Sequence, residues 1–152
     1  MAALDRQHPR DLFDVQGLLA HEGLSDDLRE AFIVYLLSHN RRMGEVLSGR
    51  VKDLLSEYNN GFEGMTGDTV AIDELVKTQH EMIEALIGAM PDHHREFLIG
   101  FERGEPDWSL LKIGHVAELP AIRWRQHNLD KLKPDQRSAL VELLRSSLER
   151  RA

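Results

Sequence analysis

The sequence predicts an all-α fold, a multi-helix bundle of six to eight helices. Three observations carry this reading. Apolar residues recur at three- and four-residue spacing along nearly the whole chain. No segment alternates apolar and polar over a length that would make a strand. Prolines and glycines fall where such helices should begin and end. The length, 152 residues, suits one domain, 1–152, and no linker rich in Pro, Ser and Gly divides it.

Pro9 suits a first helical turn, where its missing N–H is not needed. Leu12, Val15, Leu18 and Leu19 follow as a stripe, and Gly23 ends it. Ser25 is a good N-cap for the next helix, with Asp26, Asp27 and Glu30 near the positive end of its dipole. That helix should run to about His39. Leu28, Phe32, Tyr35 and Leu36 share one face, and Ile33, Val34 and Leu37 widen it, as in a helix central to its fold. Gly44 and Gly49 bracket a short turn of helix. Val51 to Tyr58 can form another, which Asn59-Asn60-Gly61 should break or bend. Ile72, Leu75, Val76, Gln79, Met82, Ile83, Leu86 and Ile87 make the cleanest amphipathic helix. Pro91 starts a helix that buries Phe97, Leu98 and Phe101 and ends at Gly104. A turn-rich stretch from Glu105 to Leu119 contains Trp108, expected as a loop anchor in the core. Pro120 opens a helix with Ile122, Trp124 and Leu129, and Pro134 opens the last, with Leu140, Leu143, Leu144 and Leu148 inward.

Composition excludes several classes. There is no Cys, so disulfide frameworks, zinc ribbons, Cys nucleophiles and iron–sulfur clusters are out. The longest apolar run, Ala31-Phe32-Ile33-Val34-Tyr35-Leu36-Leu37, is far below the ~20 residues of a membrane span. The N-terminus does not read as a signal peptide, so a cytoplasmic protein is expected. Net charge is −7 overall, against a dedicated non-specific DNA binder. The last third, residues 107–152, nevertheless holds 9 basic and 6 acidic side chains. No Ser/His/Asp set, Walker loop or Rossmann glycine fingerprint is present.

The densest charged cluster is Arg6-Gln7-His8-Pro9-Arg10-Asp11-Leu12-Phe13-Asp14. Asp11 and Asp14, three apart, lie on nearly one helix face, and Arg10 can neutralise either or reach a phosphate. The residues alone leave two readings open: first-turn acids that complement the helix dipole, or a charged site. Arg123-Trp124-Arg125 is the second candidate, because guanidinium and aromatic groups together suit nucleic acid. Helical spacing, however, keeps Trp124 from sharing a face with both arginines, which favours Trp124 in the core with the arginines flanking outward. His80 and Glu84, at i and i+4, resemble half of a zincin helix, but no third ligand is identifiable and no metal site is assigned. His93-His94 reads as a solvated first-turn pair.

The segment Ala3-Leu4-Asp5-Arg6-Gln7-His8-Pro9-Arg10-Asp11-Leu12-Phe13-Asp14 resembles the last motif of the AbiEii/AbiGii-type nucleotidyltransferase toxins, an Arg followed by Arg-Asp-x-x-Asp at a helix start. Phe32 to Arg41, Gly64-Met65-Thr66, Gly104 to Leu111 and Leu119 to Trp124 resemble later parts of the same family, in order. The resemblance covers nearly the whole chain. It implies a polymerase-β-like core followed by a helical C-terminal region, to which this all-α chain corresponds. It also implies nucleotide transfer from an NTP with Mg²⁺, an antitoxin partner, a role in phage defence, and in some members tRNA as acceptor. Carried over by motif, Arg10, Asp11 and Asp14 are the catalytic-site candidates; Arg123 and Arg125 stand as nucleic-acid candidates on their residue types alone.

The family's Gly-Gly-Ser/Thr loop and its Asp-x-Asp pair do not occur in this sequence. The Lys that members carry shortly before the Ala-Leu-Asp-Arg segment would fall ahead of Met1. Two-metal phosphoryl transfer needs clustered carboxylates and a triphosphate cradle. The expectation is therefore a C-terminal portion or split subunit of such a transferase, inactive alone. Residues 1–23 would be the end of the transferase core and 24–152 the helical region, partnered by the missing core. The alternative is a free-standing helical module that binds protein or RNA without catalysis.

Overall fold

In the computed structural model, residues 2–21, 23–48, 51–62 and 70–149 are described, and every regular element among them is helical, without a strand. Gly64-Met65-Thr66 lies outside the described residues. A short helix α1 (Ala2–Asp5) turns through Gln7, at φ 53°, into α2 (Pro9–His21). Gly23, at φ 67°, ends that segment as its sequence requires. Helix α3 (Asp26–Ser38) is capped by Ser25, whose Oγ accepts from the Leu28 amide at 3.2 Å. The single turn α4 (Met43–Leu47) follows. Then α5 (Leu55–Glu57) runs into a π-turn over Tyr58–Phe62. Asn59-Asn60-Gly61 thus widens the helix instead of breaking it.

Helix α6 (Ile72–Ile83) also ends in a π-turn, Glu84–Gly88, and α7 (Asp92–Arg103) stops at Gly104, which takes φ 96°. Two 3₁₀ turns, Trp108–Leu110 and Val116–Glu118, lead to α8 (Pro120–Asp130) and α9 (Pro134–Glu149). Helix α2 lies along α6, α3 contacts α8, and α9 packs on both α4 and α7. Leu12, Ile33, Leu36, Leu37, Leu75, Ile83, Phe97, Leu98, Phe101, Ile122 and Leu144 are fully buried between them. Trp108 anchors its loop as expected, with its ring centroid 5.3 Å from Phe97 and 6.1 Å from Phe101.

Three side chains sit where their local pattern does not put them. Tyr35 is turned to solvent, although it shares the helical stripe of Phe32 and Leu36. Trp124 is 62% exposed, not core. The inner line of α8 runs Ile122, Arg125, Leu129, and this puts Trp124 about 130° off it. His94 is buried rather than solvated, with Nε2 3.7 Å from Oε1 of buried Glu30. Glu30 reaches across the fold to accept from the amides of Lys112 and Ile113, each at 3.0 Å. That carboxylate therefore pins the turn after Leu111 against α3.

The backbones of α4 and α9 approach closely at Gly44. A Cβ on Gly44 would lie 2.7 Å from Leu143 Cγ and 2.9 Å from the Leu143 and Leu144 backbone. The Ser147 hydroxyl donates to the Gly44 carbonyl at 2.7 Å across the same contact. Only glycine lets these backbones meet. Gly44→Ala should cost about 1–3 kcal/mol through forced separation of the helices, read as a lower urea midpoint at unchanged slope. Burial and the neighbouring His93 hold His94 below its ordinary value of 6.5, against the opposing pull of Glu30. The folded state thus favours neutral imidazole. Its contribution is full above the unfolded value and is lost as pH falls through the folded one. The urea midpoint should drop between pH 7 and pH 5, and His94→Gln should flatten part of that drop.

Candidate functional site

The start of α2 carries the charged cluster. The His8 carbonyl accepts the first helical bond, from the Leu12 amide at 3.1 Å, and His8 Nδ1 accepts from the Arg10 amide at 3.2 Å. Arg10 and Asp14 point to solvent, while Asp11 is half-buried. The partner of Asp11 is Arg6, not Arg10: Arg6 Nη2 lies 3.2 Å from each carboxylate oxygen. An Arg-x-x-x-x-Asp pairing across the Gln7 elbow is invisible to helical i, i+3 arithmetic, because the chain reverses between the two residues. Arg6 is 66% exposed in its side chain, so the pair contributes at most about 1 kcal/mol to stability.

Beneath this exposed pair lies a buried polar hub. Gln7 is 2% exposed and its Nε2 donates to the Leu4 carbonyl at 3.0 Å. Its Oε1 accepts from the Lys52 amide at 2.9 Å and from Gln79 Nε2 at 2.5 Å. Gln79 Nε2 also donates to the Lys52 carbonyl at 3.2 Å, and Lys52 Nζ donates to the Arg6 carbonyl at 3.2 Å. One carboxamide thus ties the α1–α2 elbow to the 51–54 segment and to α6. A polar cleft of about 400 Å³ opens beside it, lined by Gln7, Arg41, Glu45, Lys52 and Asp53 among others. An apolar groove of about 200 Å³ shares Leu4 with that cleft and is also lined by Val15, Leu19, Phe32, Tyr35 and Met82 among others.

A sequence model of the family described as "Nucleotidyl transferase AbiEii toxin, Type IV TA system" matches residues 1–127. The chain belongs to this family. It is a nucleotidyltransferase-type protein of a toxin–antitoxin system, and this membership implies an antitoxin as partner. No curated protein and no solved structure matches it. In this AbiEii-family chain no helix among the described residues is long and apolar enough to cross a membrane.

The AbiEii-family site is legible only in part from sequence. Arg10, Asp11 and Asp14 are brought together on one helix start. Arg123 and Arg125 lie elsewhere, on α8, where Arg123 is exposed. Arg125 turns inward and caps α3, donating to the carbonyls of Leu36 at 3.3 Å, His39 at 2.5 Å and Arg41 at 3.2 Å. The implied Mg²⁺ does not fit this chain's own carboxylates. Among the described residues no three His, Asp or Glu converge to hold an ion, and the Asp11 carboxylate is already engaged by Arg6. His80 and Glu84 are both exposed. Gln7, Lys52 and Gln79 were not singled out by motif. One signal was available: Gln79 is polar within the apolar stripe of α6. Gln79→Leu removes a donor from Gln7 and from the Lys52 carbonyl, and should cost about 1–3 kcal/mol in chemical denaturation while leaving helix content intact by circular dichroism.

Proposed function

We propose that this chain is the helical C-terminal part of an AbiEii-type nucleotidyltransferase toxin and transfers no nucleotide alone. Residues 1–23 form the end of the transferase core and 24–152 the helical region. The rest of the core comes from a preceding segment or a split subunit and seats against the α1–α2 side. In this reading the toxin acts in the cytoplasm, in phage defence, with tRNA as one candidate acceptor. The NTP and Mg²⁺ are held by the core, whose carboxylates and glycine loop this chain lacks. The chain supplies the rim: Asp11 orients Arg6, Arg10 contacts the triphosphate or shapes the helix entry, and Asp14 extends the acidic edge.

The observation that carries this reading is the contrast at α2. Arg6, Arg10 and Asp14 are presented outward, yet the backbone beneath them is anchored by buried Gln7 and Gln79 and their bonds to the Lys52 backbone. Such anchoring holds an exposed charged cluster in one geometry, as a catalytic rim requires. The apolar groove alongside offers a seat for a covering element.

Transfer of a radiolabelled NTP to RNA tests the proposal. The isolated chain should show none, and supplying the core should restore it. Asp11→Ala in the complete protein should reduce transfer at least 100-fold with an unchanged melting temperature, because an exposed ion pair contributes little to folding. Transfer by the chain alone, or full activity of Asp11→Ala, would overturn it.

A further inference from the structure

A second cleft, of about 230 Å³, lies between α8 and the connection from α3 to α4. Its lining includes Trp124, Asn128, Arg41, Arg42 and Glu102. Glu102 is 1% exposed, and its Oε2 has no hydrogen-bond partner. A buried acceptor without a hydrogen bond is costly, and the charges of Arg125 and Arg137 offset that cost only in part. Burial also raises the Glu102 carboxyl above the usual carboxylate range, with Arg125 and Arg137 pulling it back. Trp124, 62% exposed, presents an indole over the same cleft. Its nearest ring is His127, with centroids 6.4 Å apart.

We propose that this cleft binds an unpaired nucleotide whose base carries an exocyclic amino group. The base stacks on Trp124, the amino edge donates to Glu102, and the phosphate lies toward Arg41 and Arg42. The chemistry favours this class over simpler ligands. An aliphatic amine would satisfy Glu102 but has no ring for Trp124. An aromatic side chain would stack, and Tyr or Trp would also bring a donor, but none brings an anion for the arginines. The cleft is smaller than the roughly 300 Å³ at which sites for drug-sized ligands begin, so one ring system enters and its sugar and phosphate stay at the rim. Adenine, cytosine and guanine offer an amino donor. Uracil offers only an imino N–H between two carbonyls that repel a carboxylate. Arg125 is a positioning residue here: its bonds to the His39 and Arg41 carbonyls hold the arginine-bearing turn in place.

The inference does not rest on transfer chemistry at α2, because its readout is binding by this chain. Fluorescein-labelled rA₈, rC₈ and rU₈ are titrated with the full chain at low ionic strength, followed by anisotropy. AMP and CMP are titrated by tryptophan emission. The expected result is binding of rA₈ and rC₈ at least tenfold tighter than rU₈. Trp124→Ala should weaken rA₈ and rC₈ about tenfold or more, in line with the loss of one stacked base, and Trp124→Phe should restore most of it. Glu102→Gln should erase the preference over rU₈, with circular dichroism and melting temperature confirming the fold. Mononucleotide binding with the same preference identifies the free nucleotide as occupant; binding of the octamers alone identifies a strand. Equal affinity for the three octamers, no binding of any probe, or a Trp124→Ala variant indistinguishable from the parent would overturn the proposal.

Discussion

The geometry of the N-terminal site depends on one buried carboxamide. Gln7 adopts a left-handed backbone at φ 53°, a conformation that β-carbon-bearing residues enter only at a cost. The cost is offset by three hydrogen bonds, to Leu4, Lys52 and Gln79, which come from three separate stretches of chain. The reversal at Gln7 brings Arg6 back over Asp11 and aims α2 along α6. Elbow, charged rim and the placement of α2 are consequences of the same small network.

Two buried glutamates, Glu30 and Glu102, show how differently the fold treats the same side chain. Glu30 is nearly inaccessible but faces two backbone amides and a histidine, so its acceptors are used and the 111–113 turn is fastened by them. Glu102 is as deeply buried, and one of its oxygens faces no donor. The first is structural by that measure. The second leaves an oxygen without a hydrogen bond and is balanced in part by the charges of Arg125 and Arg137. The tryptophans divide in the same way: Trp108 closes an aromatic cluster with Phe97 and Phe101, and Trp124 spends its indole on solvent.

Family membership and geometry address different levels. The match to the AbiEii toxins covers most of the chain and places it among nucleotidyltransferase-type proteins. The structure contributes what a family name does not: which arginine meets Asp11, that Arg125 caps a helix, and that the α2 cluster sits beside both a polar cleft and an apolar groove.

The all-α class, the helix starts at Pro9, Ser25, Pro120 and Pro134, and the stops at Gly23 and Gly104 were legible in the residues. Each is decided locally, by backbone torsion or by which amides lack partners. The stripes of α6, α7 and α9 were legible for the same reason, since burial of a 3.6-residue face follows from its own spacing. The motif at α2 was legible as a resemblance, though not its wiring. Only the tertiary structure decided that Tyr35 and Trp124 face out, that His94 is buried, and that Asp11 pairs with Arg6 through an elbow held by Gln79 and Lys52. Those outcomes depend on which helix arrives opposite a side chain from dozens of residues away, and no local pattern encodes that neighbour.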